Sequence, residues 1–399
     1  MSKYLVKLKP LTPFFFGGEN TFGEGEVNYF AKSNYMPQQT TILGFLRYEL
    51  LAQNGLIGTD PVSQKWDDLI GSQSFECVDD KFTASFGAIK NISPVFIMDG
   101  NDSYITQSFD WAYYEDDNRS EIINGCKMSA KKIDSIHIRF EHANKIGFVD
   151  SIKNFIPILE VGGKKYDPKL GLASLWVSAD GKKMKHWDFE EGFQQDGQIG
   201  NGFFVPKSQI GIHRETDKPK TQKGDFYKQI FKSFHETNTC FAFYVDINLP
   251  AGKTLASRVT TMGGERSVFE MTITRVDDHF SSFDLLFRDA FLATHPERKN
   301  VVVMTSDVYC HQNILNQSKF AITDSIPFRN ITTKQISNVN YAALDRTDKG
   351  KAKLFKTKEL IYLLKRGSIL YVDDSQATKK DIESITPFYN IGYNHCIAL

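Results

Sequence analysis

The residues best suited to chemistry in this chain sit in a basic hairpin and in glycine-rich turns. In Lys207-Ser208-Gln209-Ile210-Gly211-Ile212-His213-Arg214, an imidazole stands beside cations. His213 there can donate or accept a proton across a scissile phosphate, the chemistry of metal-independent RNA cleavage, and His395 is a second loop histidine with the same capacity. Without catalysis, the same segment either offers cations to a phosphate backbone or is a solvent-exposed hairpin. From Lys207 to Lys223, five Lys/Arg face two acids. Two further turns, Gly263-Gly264-Glu265-Arg266 and Gly392-Tyr393-Asn394-His395, mix flexible backbone with a ring or a cation.

A helix must position a fourth group. In Tyr35-Met36-Pro37-Gln38-Gln39-Thr40-Thr41-Ile42-Leu43-Gly44-Phe45-Leu46-Arg47-Tyr48-Glu49-Leu50-Leu51, Pro37 holds the residue before it extended. Thr40 or Thr41 can cap, and Ile42, Leu43, Phe45, Leu46, Leu50 and Leu51 form an apolar face for packing against a sheet. The helix start offers N–H groups and the positive dipole end to a phosphate beside Gln38, Gln39, Thr40 and Thr41, or it is ordinary capping above a core. Gly44 inside the helix costs roughly 1 kcal/mol against Ala, which predicts a close backbone approach there.

Composition narrows the classes. The 399 residues exceed what one core usually organises, so two domains are expected. A hydrophobic share of 41% and a charged share of 24% are those of a globular protein. No apolar run nears the roughly 20 residues that span a bilayer, and Met1 to Lys7 lacks a signal-peptide core, so no membrane association and a cytoplasmic location are expected. Five widely spaced cysteines without a C-x-x-C pair indicate neither a disulfide framework nor a zinc site. With 48 basic and 48 acidic residues the formal charge is zero, so any nucleic-acid contact must be local or shared with partner subunits. The 32 Phe imply aromatic cores, interfaces, stacking platforms or a mixture. P-loop, zinc-protease, nucleophile-elbow and EF-hand motifs are absent, as are the G-G-D-D and H-D pairs that a nucleotide cyclase or a metal phosphodiesterase would use to hold divalent ions. No cofactor or metal is expected.

In chain order, the alternation of Tyr4, Val6 and Leu8 marks a first strand, and Pro13 to Gly25 an aromatic, glycine-rich loop. Residues from about 55 to 202 hold strand-like pieces and an acidic cluster at Asp110, Glu115, Asp116, Asp117 and Glu121, taken as insertions on the first domain. The hairpin spans about 205–223. Phe241 to Leu249 is a strong strand, and the second domain is placed from 238 to 399, the first from 1 to 237. Within it, Phe283 to Thr294 is helical, and Val301 to Met304 and Ile369 to Val372 are strands. Between Arg346 and Arg366, eight Lys/Arg oppose two acids, the strongest local positive charge in the chain.

The first strand, the aromatic loop, Pro37 to Arg47, Ile210 to Arg214 followed by Gly224-Asp225-Phe226-Tyr227, Gly263 to Arg266, and Gly392-Tyr393-Asn394 together resemble the RAMP superfamily of CRISPR effector proteins. The likeness is nearest to subunit 3 of the Cmr, or type III-B, complex, and its elements run in the family's order from end to end. The resemblance implies an α+β fold of two ferredoxin-like (RRM-like) domains with long insertions and no catalytic activity. It further implies that the chain binds the 5′ handle of the CRISPR RNA and docks on the large polymerase/nuclease subunit and the backbone RAMP subunits. By position, Gln38 to Thr41 and Arg47 face the handle, Lys207, Ser208, Ile212, His213 and Arg214 lie on a projecting hairpin, and Gly263 to Arg266 with Gly392 to His395 form glycine-rich loops. Two alternatives are a metal-independent CRISPR RNA-processing endoribonuclease of the same superfamily, with His213 as its acid–base residue, and the equivalent subunit of a type III-A (Csm) complex.

Overall fold

The computed structural model describes residues 2–17, 30–59, 66–71, 76–78, 81–83, 85–109, 111–115, 128–132, 137–142, 155–161, 164–166, 175–186, 199–200, 202–212, 226–263, 265–276, 280–294, 300–309, 314, 318, 320–328, 331–332, 355–356 and 361–399. The architecture is α+β and dominated by sheet. Val6 and Leu8 on Ser2–Pro10 are fully buried, as their alternation requires, and that strand lies between Thr239–Ile247 and Ser267–Val276, antiparallel to both. The sheet continues through Phe96–Asp99, Asp102–Thr106 and Leu175–Ser178 on one side and ends in Arg258–Met262 on the other, ten strands in all. Position 238, the expected domain boundary, therefore has strands of one sheet on both sides of it.

Two expectations for the 55–202 stretch divide. Strands do form at Phe96–Asp99, His137–His142, Phe155–Val161 and Leu175–Ser178. The stretch is not only insertion, however, because six of its strands join the main sheet and Phe96, Ile97, Tyr104 and Trp176 sit in the core. The acidic cluster lies outside the described residues except for the strand position of Glu115.

The first helix, Gln39–Gln53, packs on the sheet through the six predicted apolar residues, all buried. Each contributes about 1.5–3 kcal/mol by leaving water. It differs from expectation at two points. Its N-cap is Gln38, which makes no side-chain cap bond, so neither Thr40 nor Thr41 caps it. Gly44 is exposed and a Cβ there would meet nothing within 4 Å, so among the described residues no backbone crosses it. Glu49 turns inward: it accepts from the Thr260 hydroxyl and, at 2.9 Å, from Gln53 Nε2, with Arg258 Nε at 3.7 Å. A buried carboxylate needs such donors, and these tie the helix to the edge strand Arg258–Met262.

Much of the aromatic content fills this core. Phe14 has Phe16 at 5.1 Å, Phe241 at 5.2 Å and Phe234 at 5.7 Å between ring centroids. On the other face of the sheet, Phe283, Phe287 and Phe291 of the helix Phe280–Thr294 pack against Phe96 and Ala242. A four-stranded antiparallel sheet follows, in the order Phe320–Ile322, Ile369–Tyr371, Val301–Met304 and Cys396–Ala398. Beside it Arg366 Nη2 lies 3.3 Å from Asp307 Oδ2 in a buried ion pair, and Arg366 Nη1 reaches toward the first sheet by donating to the Val95 carbonyl at 3.5 Å. Cys240 and Cys396 are buried thiols. No helix of the described residues is long and apolar enough to cross a membrane.

Candidate functional site

Three of the sequence-predicted segments meet on one surface. The strands Arg258–Met262 and Ser267–Val276 form a hairpin whose turn holds Gly263 at φ 86° and Arg266 at φ 50°, with Arg266 N donating to the Gly263 carbonyl at 3.1 Å. Gly263 is required there, since a Cβ would stand 2.7 Å from the Phe15 carbonyl oxygen in a left-handed backbone. Phe15 in turn donates its amide to the Ser267 hydroxyl at 3.2 Å and packs its ring on Phe231, 5.4 Å away. Phe231 belongs to the hairpin of Phe204–Ile212 with Phe226–Phe234, and on the same strand Gln229 donates to Glu265 Oε1 at 3.2 Å. The aromatic segment thus wedges the glycine turn against the hairpin. Phe14, Phe15 and Phe16 are buried and build the site without forming its surface.

Between the turn and the first helix lies a cleft of 290 Å³ lined by Thr41, Phe45, Tyr48, Thr261, Met262, Gly263 and Arg266. None of these is acidic. Thr41, Phe45 and Tyr48 share a helix face at i, i+4 and i+7 spacing. Tyr48 is 49% exposed, and Thr261 and Arg266 are exposed, so hydroxyls, a ring and a cation open to solvent together. Sequence reasoning found Thr41, Gly263 and Arg266 but missed Phe45, Tyr48, Thr261 and Met262. An aromatic on the polar side of an amphipathic helix, as Tyr48 is, was the available signal.

The other predicted residues are placed as follows. Gln38 and Thr40 are half-buried at the helix start, and Lys207 and Ser208 are exposed on the hairpin. Ile212 ends the hairpin's first strand, while His213, Arg214 and Gly264 lie outside the described residues. Arg47 points away from the cleft, donating to the Ser85 carbonyl at 2.9 Å and standing 5.9 Å over the Phe86 ring. Most of the basic run from Arg346 lies outside the described residues; of its last two cations, Lys365 pairs with Asp324 and Arg366 is the buried partner of Asp307.

The terminal turn is internal, contrary to its surface-loop composition. Gln39 is buried and donates to the carbonyls of Ser93, 2.9 Å, and Ile391, 3.0 Å. Gly392, at φ 90°, leaves room for that amide; Tyr393 is buried with its phenol at Thr40, and burial raises its pKa. The Asn394 side chain donates to the carbonyls of Tyr309 and Ile382 and accepts from Tyr309 N at 2.8 Å. His395 stacks on Tyr389 at 4.1 Å, and burial pushes its pKa down to about 3, so it is neutral and enclosed where RNA acid–base chemistry would need it accessible. Gln39 and Gly392 to His395 brace the helix start from below. Among the described residues, no three His, Cys, Asp or Glu side chains gather as a metal site would require.

The fold and the cleft define a sheet-dominated α+β protein whose first helix and glycine turn frame an open surface groove with no acid among its described lining residues. Residues 6–108 and 164–399 match the family described as CRISPR-associated protein (Cas_Cmr3), and the chain belongs to that family. It is thus a CRISPR-associated protein of the Cmr type, one of the type III effector subunits. Residues 109–163, within the long stretch of the first half, lie outside the match. Among solved structures, the chain is similar to one in the type III-B Cmr-beta complex bound to cognate target RNA, with TM-score 0.45, 14% identity, and 99% of this chain and 96% of that chain covered. A chain of the same complex bound to target RNA and AMPPnP gives TM-score 0.44 at 14% identity and the same coverage. One in the Csm3-Csm4 subcomplex of the type III-A CRISPR-Cas interference complex gives TM-score 0.34 at 12% identity, covering 93% of each. No curated protein matches the chain.

Proposed function

We propose that this protein is the non-catalytic, guide-holding subunit 3 of a cytoplasmic type III-B (Cmr) effector complex. It seats the 5′ handle of the CRISPR RNA and docks the large polymerase/nuclease subunit and the backbone subunits, which supply the chemistry. The observation that carries this reading is the cleft between first helix and glycine turn, with no acid among its described lining residues, and the hairpin tied to that turn through Gln229 and Glu265. Loops that combine glycine backbone, a ring and cations suit an unpaired RNA end, and zero net charge suits a guide shared among subunits.

The test is guide retention by effector assembled with Arg266→Ala or Lys207→Ala. Removing one charge-assisted hydrogen bond to a phosphate weakens binding by about 1–3 kcal/mol and lowers its salt dependence. Unchanged retention and salt slope in both variants overturns the reading. Cleavage of repeat RNA by the purified chain in EDTA, abolished by His213→Ala, replaces it with the endoribonuclease.

A further inference from the structure

Gly44 has no role within the described fold. It stands in mid-helix, on the solvent side, and a Cβ there would meet nothing within 4 Å. A glycine at such a position weakens a helix and gains nothing in return unless something beyond the described residues comes close. It lies on the rim of the cleft, three residues after Thr41 and four before Tyr48, both of which line it.

We propose that the cleft takes a single unstacked nucleotide of the bound RNA, its base against Tyr48 and its sugar–phosphate crossing the first helix at Gly44. The proposal rests on the guide-holding reading and adds where one nucleotide sits. The volume of 290 Å³ is at the small end of ligand sites, which run from roughly 300 to 1,000 Å³, and suits one base more than a stacked pair. Tyr48 supplies a half-exposed ring for stacking, Thr41 and Thr261 supply hydroxyls, and Gly263 brings its backbone to the wall without a side chain. Arg266, exposed at the far wall, meets the phosphate, and among the described residues no carboxylate lines the cleft to repel it. A missing Cβ at Gly44 lets the RNA backbone lie against the helix between Thr41 and Tyr48.

The experiment compares Gly44→Ala, Gly44→Leu, Tyr48→Phe, Tyr48→Ala and Arg266→Ala. Two quantities are read: the Tm of each chain, and the dissociation constant of fluorescein-labelled CRISPR RNA from effector assembled with it. Gly44→Ala raises the Tm, by about 1–3 °C, while weakening RNA binding about 3- to 10-fold, and Gly44→Leu weakens it further. Opposite signs on the two readouts are the signature, because a merely structural glycine would give the stability gain alone. Tyr48→Phe keeps affinity within about twofold, and Tyr48→Ala loses about 5- to 100-fold, the range of one base-stacking contact. Unchanged RNA affinity in Gly44→Leu and Tyr48→Ala, with Arg266→Ala still defective, overturns this placement and leaves the guide-holding function standing. Unchanged affinity in all five variants overturns this placement, and unchanged affinity in Lys207→Ala as well removes the guide-holding reading with it. Retained RNA without association of the large subunit in the Gly44 and Tyr48 variants makes the cleft a protein seat and overturns the proposal.

Discussion

Gly392→Ala is the sharpest probe of how the terminal turn supports the first helix. A side chain at φ 90° costs about 1–2 kcal/mol in the backbone alone. The new Cβ would also take the place of the Gln39 amide and stand 2.7 Å from the Ser93 carbonyl oxygen. Gln39 then gives up its bonds to Ser93 and Ile391, each of which contributes about 0.5–1.5 kcal/mol net. The single substitution should therefore destabilise by about 2–5 kcal/mol, read as a shifted urea midpoint. In a Gln39→Ala background the two bonds are already absent, so Gly392→Ala should cost only the backbone strain and the Ser93 clash. The double-mutant cycle should return a coupling of about 1–3 kcal/mol. Equal losses in both backgrounds would refute the claim that Gln39 occupies the space that Gly392 leaves.

Three other measurements follow from the described contacts. Asp307→Ala leaves the buried Arg366 guanidinium uncompensated and should cost about 3–5 kcal/mol in thermal or urea denaturation, against little for Lys365→Ala at the more exposed pair. Thr260→Val removes the hydroxyl that Glu49 accepts from and should cost about 1–3 kcal/mol, which Thr260→Ser recovers. His395 holds no proton in the folded protein until about pH 3, while the unfolded chain takes one up below about 6.5. The unfolded state binds more protons across that window, so stability rises with pH there. Acidifying from pH 6.5 to 5 should cost about 2 kcal/mol from this group, a share that His395→Gln should abolish in urea midpoints measured at the two pH values.

The sequence made some of this legible. Six apolar residues at helical spacing identify Gln39–Gln53, and alternation identifies Ser2–Pro10, because both patterns record one buried face. Thr41, Gly263 and Arg266 were recognisable as turn and helix-start chemistry. The role of Gly392-Tyr393-Asn394-His395 was not, since polar residues in a short loop read as surface. They are buried because the Asn394 amide satisfies three backbone groups and the terminal turn closes under the helix. The strands of Phe96 and Trp176 were legible, but their place in the main sheet was hidden for another reason: strands far apart in the chain complete it, and pairing partners leave no periodic trace.

The order of the main sheet also bears on biosynthesis. Ser2–Pro10 leaves the ribosome before both its neighbours, Thr239–Ile247 and Ser267–Val276, which emerge more than two hundred residues later. Its edges stay open meanwhile, a window for aggregation or chaperone capture during translation. The groove at Tyr48 forms only when the turn at Gly263 has arrived, and the helix start is braced only when Tyr393 has followed. The groove is therefore complete only when both have been made.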